Sequence, residues 1–340
     1  MTLIKSLTPL RGLAAMAVIL SHFTPEFFPS ITDRLYVGVD MFFTLSGFVM
    51  AHVYGATFEN AISWRDIGKF FWARFARLYP LYFVTLIVLL PLMGFARFSF
   101  KDLIYNLLML QSPWFQFGTW YIHNWSVSAE WHAYFVFPFA AYLLKRCTVA
   151  QKIAITVGML IGNWALVHHL GNINIAHTPL VFLRLFPEFF IGIFLYQLYK
   201  SNWLISIWQR NWTLLATVLT LFAIFPISDF LVVTLFYPLI LCLVHNETKV
   251  ADAFNCKILT KLGDMSYSIY MLQVFPTIIF AIYPVEDFDK VVGVDQAAFL
   301  ICGAMVAVSY ICYEKFEVPT HRRLKYFKFR RIRGGLEVEE

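Results

Sequence analysis

Charge is what this chain has least of. Asp, Glu, Lys and Arg together make up 14% of its 340 residues, where a soluble domain carries about 25%. With 59% hydrophobic residues, the chain has more apolar surface than one water-facing core of this size can bury, and a soluble globular protein is excluded. Cysteine is sparse too. The five, at 147, 242, 256, 302 and 312, show no CxxC or other ligand-like spacing, so they read as packing or cytosolic thiols and no metal site is expected. Also missing are a Gly-rich phosphate loop, an internal repeat and the paired broken helices of secondary transporters. No small-residue cleavage pattern follows SHFTPEFF, so residues 7–28 read as an uncleaved first span.

What is present is apolar helix. Mean hydropathy is +0.65, and 36 Phe, 17 Tyr and 10 Trp suit helix surfaces in lipid with rings at the interfaces. A bilayer core of about 30 Å takes roughly 20 residues per crossing. Ten runs qualify: 7–28, 36–55, 78–95, 126–144, 150–169, 178–199, 211–226, 229–245, 267–284 and 294–313. Backbone groups in lipid must bond within their own segment, so these are helices. The expected fold is all-α: a polytopic membrane protein of about ten transmembrane helices.

The cations orient it. With the N-terminus inside, 22 of the 27 Lys and Arg fall in inner segments and 4 in outer ones, which predicts cytoplasmic N- and C-termini. Residues 102–117, DLIYNLLMLQSPWFQF, are apolar enough for another crossing, but that would move Lys145, Arg146 and Lys152 outside. They are expected to be re-entrant or interfacial on the outer face. The run HRRLKYFKFRRIR, 321–333, directly follows a span, so it is expected to rest on anionic inner-leaflet lipid and not on nucleic acid. Residues 1–313 thus form a membrane domain and 314–340 a basic cytoplasmic tail.

Several ionisable residues lie inside these spans, where lipid exposure is costly. Arg11 and His22 are eleven residues apart, three helical turns plus about 20°, so they share a face about 16 Å apart. Arg11 falls at the inner mouth and His22 in the outer half. Asp40, Glu130 and Arg184 fall in the same outer layer as His22, and these four are expected to converge on an interior cavity. Arg184 and Glu188, at i and i+4 around Pro187, equally fit a structural ion pair beside a kink. Arg74 and Arg77 equally fit positive-inside anchors. Trp114, Trp120 and Trp125 are aromatics that fit either stacking on a glycan or resting at the interface.

The motifs come in an ordered series: Arg11, ten residues, then His22; YVGVDMFFTLSGFVM; FWARFARLYPLY with Arg74 and Arg77; WSVSAEWHAYFVFP; RLFPEFFIGIFL; LGDMSYSIYMLQVFP; and YEKFEVPTHRRLK. Over nearly its whole length the sequence resembles the acyltransferase-3 family of integral membrane acyltransferases, which O-acylate cell-surface sugars. It departs from the common pattern at Trp131, where a second acidic residue is usual after Glu130. It departs again at Gln273, where His is usual, so hydrogen bonding but no proton transfer is expected there.

The resemblance implies a donor, acyl-CoA and usually acetyl-CoA, made in the cytoplasm. It implies as acceptor a hydroxyl of a cell-surface or lipid-linked polysaccharide, with no bound cofactor, in the inner membrane of a bacterium. Arg11, Arg74 and Arg77 are then expected to hold the donor's phosphates, aided by the dipole of the first helix. The pantetheine arm would lie along the Arg11–His22 stripe. His22 is expected to act as general base, oriented by Asp40 or Glu130; direct transfer and an acyl-histidine intermediate both remain open. Arg184 would stabilise the oxyanion unless Glu188 neutralises it. With only the basic tail after residue 313, the membrane domain is expected to complete the transfer or hand it to a separate protein. The competing classes are a transporter or flippase of a lipid-linked sugar and a non-catalytic scaffold.

Overall fold

The computed structural model describes residues 4, 6–23, 33–93, 100–114, 124–175, 179–246, 248–276 and 294–333. Among them there are helices and no strand. The principal helices are α1 (Leu7–Phe23), α2 (Gly38–Phe58), α3 (Trp64–Met93), α4 (Trp125–Arg146), α5 (Val149–Leu170), α6 (Val181–Lys200), α7 (Asn211–Ile224), α8 (Asp229–His245), α9 (Lys257–Asp264), α10 (Ser266–Leu272), α11 (Val294–Cys312) and α12 (Val318–Arg333). A helix falls in each of the ten apolar runs, although residues 24–28, 94–95, 178 and 277–284 of those runs lie outside the described residues. Among the described residues, five segments are long and apolar enough to cross a membrane: Leu35–Phe58, Trp64–Leu89, Val149–Leu170, Val181–Lys200 and Phe299–Lys325. Leu7–His22, Asn211–Ile224 and Asp229–His245 are apolar but shorter.

Local chemistry sets several of these ends. A capping box opens α5: the Gln151 amide donates to the Thr148 hydroxyl at 3.2 Å, and the Thr148 amide to the Gln151 side chain at 2.8 Å. This satisfies two donors that have no partner inside the helix. Gly171, with φ of 79°, closes the same helix, in the left-handed conformation that glycine adopts most easily.

The centre of the molecule is the long contact of α2 with α6. Two glycines permit it. A Cβ on Gly47 would lie 1.9 Å from the Phe189 carbonyl oxygen, and one on Gly192 would lie 2.0 Å from that of Thr44. Any larger residue at either position forces the two backbones apart. Around this seam α2 also packs on α1 and α4, burying Phe43, Phe48, Phe137 and Phe189 almost completely.

Residues 100–114 fold as two short helices, Phe100–Leu107 and Gln111–Trp114. The longer has eight residues, about 12 Å at 1.5 Å each, too short to cross. They are tucked inward. The Tyr82 hydroxyl donates to the Asn106 carbonyl at 2.6 Å, and Ser128 on α4 donates to that of Met109 at 2.8 Å. Asn106, Gln111 and Ser112 are buried. Residues 115–117 of the expected re-entrant stretch lie outside the described residues.

At the other end of the chain the helix does not stop at residue 313. It runs from α11 through a π-helical turn, Tyr313–Glu317, into α12. The Trp72 indole donates to the Leu324 carbonyl at 3.2 Å, so the first part of the expected tail is docked against α3. Lys261 bonds Glu314 across from α9, and that carboxylate holds the lysine above its ordinary pKa.

Candidate functional site

Arg74 and Arg77 are one helical turn apart on α3, so they project from the same face. Arg11 approaches them from α1. All three line one narrow cavity of about 130 Å³, together with Ser46, Glu130, Tyr134 and Tyr270 among others. Its wall on α2 runs from Val39 to Met50, a rise of about 16 Å along the helix. The cavity therefore follows α2 for about three turns, with Arg11, Arg74 and Arg77 in its lining.

The two arginines on α3 are held. Arg74 donates to the Tyr54 hydroxyl at 3.0 Å and lies over that ring, 5.2 Å from its centroid. Arg77 bonds Glu317 and sits 5.9 Å from the Tyr267 centroid. Glu317 is only 3% exposed and also accepts from Ser268 on α10. It stands in the π-helical turn, a geometry that often marks functional positions. Sequence reasoning assigned Glu317 no role, because it lies just past the last apolar run in a stretch dominated by Lys and Arg. The π-turn that swings it inward leaves no signature in composition.

Two of the four groups expected to converge meet directly. Asp40 and Arg184 bond each other: Nε to Oδ1 and a terminal nitrogen to Oδ2, both at 2.7 Å, with both side chains fully buried. This is a two-pronged guanidinium–carboxylate pair, whose geometry fits better than any single contact could. The i, i+4 pairing of Arg184 with Glu188 is thereby corrected, since Glu188 turns elsewhere. It accepts from Thr44 at 3.0 Å, Asn163 at 2.6 Å and Tyr237 at 2.9 Å. Neighbours on one helix lost to a partner on another because a planar fork needs a carboxylate facing it. Glu130 lines the arginine cavity and accepts from Tyr134 at 2.7 Å.

His22 stands at the far end of the unbroken α1, exposed, and is not in the wall of the cavity. Its Nδ1 lies 2.6 Å from the Val18 carbonyl. A carbonyl only accepts, so Nδ1 carries the hydrogen and the basic lone pair of the neutral ring is on Nε2. Both oxygens of Asp40 face Arg184. Trp125 is buried against Phe43, with Arg184 5.2 Å from its ring, so it is packed and not displayed. Residue Trp120 lies outside the described residues.

A family model described as an acyltransferase domain, Acyl_transf_3, matches residues 4–314. Among curated proteins, the chain is 46% identical to "Protein 2 in picA locus" of Rhizobium radiobacter over 78 residues, 23% of this chain and 39% of that protein. It is 24% identical over 287 residues to ORF330 of Acidianus two-tailed virus, a candidate acetyltransferase by name, covering 77% of this chain and 80% of that one. It is 27% identical over 186 residues to the peptidoglycan O-acetyltransferase OatA of Listeria monocytogenes, 47% of this chain and 28% of that protein. The matched stretch is therefore well under half of two of these three relatives. No solved structure matches the chain.

Proposed function

Because the chain belongs to the acyltransferase-3 family, we propose that it moves an acyl group, normally acetyl, from acyl-CoA to a hydroxyl of a cell-surface or lipid-linked polysaccharide. In this reading it crosses the inner membrane of a bacterium ten times, with both termini cytoplasmic. The observation that carries the proposal is the convergence of Arg11, Arg74 and Arg77 on one cavity whose wall follows about 16 Å of α2. Three clustered guanidinium groups recognise phosphates.

The phosphates of the donor rest on the arginines at the cytoplasmic end, and the arm runs toward the His22 end. Nε2 of His22 takes the proton of the acceptor hydroxyl as its oxygen bonds to the thioester carbonyl carbon. The carbon–sulfur bond then breaks, and the departing thiolate takes the proton back from the imidazolium. One ester and one free CoA thiol result. Asp40 and Arg184 act as the clasp that holds α2 to α6, and Glu130 with Tyr134 lines the route of the arm.

Mass spectrometry of surface glycans, with and without the gene product, tests this reading. A mass difference of one acyl group is expected; identical spectra with the protein present in the membrane would refute it, and would be the result of a flippase or a scaffold.

Glu317 positions Arg77 in this scheme. Glu317→Ala is expected to raise the KM for acetyl-CoA about tenfold, the equivalent of roughly 1.4 kcal/mol, with a much smaller change in kcat. Glu317→Gln still accepts from Arg77 and should stay within about threefold of wild type, since the hydrogen bond and not the full charge does most of the holding. A fall in kcat at constant KM would contradict this role. Initial rates against acetyl-CoA in isolated membranes give both numbers.

A further inference from the structure

A second cavity lies at the opposite end from the arginines. It measures about 550 Å³ and is lined by Asp33, Arg34, Tyr36, Asn172, Asn174 and Pro226, which come from three separate connections in the chain. Volumes of roughly 300–1,000 Å³ are those of ligand sites.

One buried carboxylate assembles it. Asp229, 1% exposed, accepts from Arg34 and Tyr36 before α2 and, at 3.1 Å, from the Ile173 amide after α5. Asp229 itself opens α8. It therefore ties all three connections together, and the cavity is held in shape before anything enters it. Sequence reasoning passed over Asp229, because a charged residue at the edge of an apolar run looks like any span end.

The lining selects a chemistry. Asp33, Arg34 and Asp229 sum to a formal charge of −1, and the one cation among the described lining residues is already bonded to Asp229. An anionic ligand gains little there. A metal ion is no better served: among the described residues no group of three or more His, Cys, Asp or Glu could hold one. What remains are planar side chains that both donate and accept. The side-chain oxygen of Asn172 takes the Asn174 amide at 2.9 Å, which leaves its amino group as a donor. Asn174 adds both a donor and an acceptor, and Asp33 adds an acceptor. The Tyr36 ring and Pro226 offer apolar surface beside them. Vicinal hydroxyls with an apolar C–H face, the pattern of a neutral pyranose, match this set.

Location links the cavity to the reaction. The start of α2 rests directly on α1: a Cβ on Gly38 would lie 2.6 Å from the Ala14 carbonyl oxygen and 2.9 Å from Val18. His22 is four residues beyond Val18 on the same helix, about 6 Å along its axis. Tyr36, two residues before Gly38, therefore belongs to the end of the molecule that carries His22. We propose that this cavity is the acceptor subsite, which binds one neutral pyranose unit of a glycan and presents an adjoining hydroxyl to His22.

The inference rests on the acyl-transfer reading, and the experiment separates the two. Membranes containing the chain are given labelled acetyl-CoA and glycan extracted from cells that lack it, and CoA release and label in the glycan are followed together. The double variant Asn172→Ala/Asn174→Ala is expected to raise the KM for glycan at least tenfold while the KM for acetyl-CoA stays within twofold. Asp33→Asn is expected to raise the glycan KM by a smaller factor. An unchanged glycan KM in the double variant overturns the subsite, as does a parallel rise in both KM values, which would mean that the loops act through the fold. A lower glycan KM in Asp33→Asn also overturns it, in favour of an anionic carrier. If the wild-type chain releases no CoA, the acyl-transfer reading itself has failed.

Discussion

Replacing His22 by alanine is expected to lower acyl transfer by about 10²–10⁴-fold, the usual contribution of a positioned general base, while the protein remains folded. His22 stands in the last turn of α1 and is not part of the buried core, so its loss opens no core cavity. Its Nδ1 is committed to the Val18 carbonyl at 2.6 Å, so the ring is already turned with Nε2 as its base. No carboxylate is required to fix that tautomer. Label transferred from acetyl-CoA to surface glycan, set against the amount of protein in the membrane, is the measurement. Transfer near the wild-type rate with normal protein levels would remove His22 from the mechanism.

The second large effect concerns stability. Arg184→Ala leaves the Asp40 carboxylate buried and alone, at a cost of about 3–5 kcal/mol. Since a folded domain holds only some 5–15 kcal/mol in total, the variant is expected to accumulate poorly and to unfold at markedly lower temperature in detergent. Asp40→Ala should do much the same by stranding the guanidinium.

The double variant Asp40→Leu/Arg184→Met replaces the pair by apolar volume, and such exchanges are often neutral. It should recover most of the stability, and transfer should return with it. Recovery of stability without transfer would instead give Arg184 the oxyanion role that its charge first suggested. The geometry argues for the clasp, because two of its nitrogens already face Asp40 at 2.7 Å.

Individual residues show how far sequence reasoning reaches. Arg74 and Arg77 could be paired in advance because residues three apart on a helix share a face, and both line the cavity with Arg11. The depth count for Asp40 and Arg184 was equally good, since they do meet. Glu130 and His22, in the same notional layer, take partners on their own helices, the Tyr134 hydroxyl and the Val18 carbonyl. Depth follows from rise per residue alone. Which way a side chain points into a bundle depends on how each helix is rotated against its neighbours, and single-sequence periodicity is weak where nearly every position is apolar.

The sequence by itself determined the solvent, the secondary structure and the family. Scarce charge forces the chain into lipid, lipid forces its apolar runs into helices, and the ordered motif series identifies the kin. Only the tertiary structure decided the partners. It chose Asp40 over Glu188 for Arg184, brought Glu317 back through a π-turn to Arg77, and gathered three distant connections around Asp229. The physical reason is the same in each case. Hydrophobic burial is non-directional and legible as composition, whereas a buried ion pair or hydrogen bond is satisfied only by geometry, and that geometry exists only once the helices have packed.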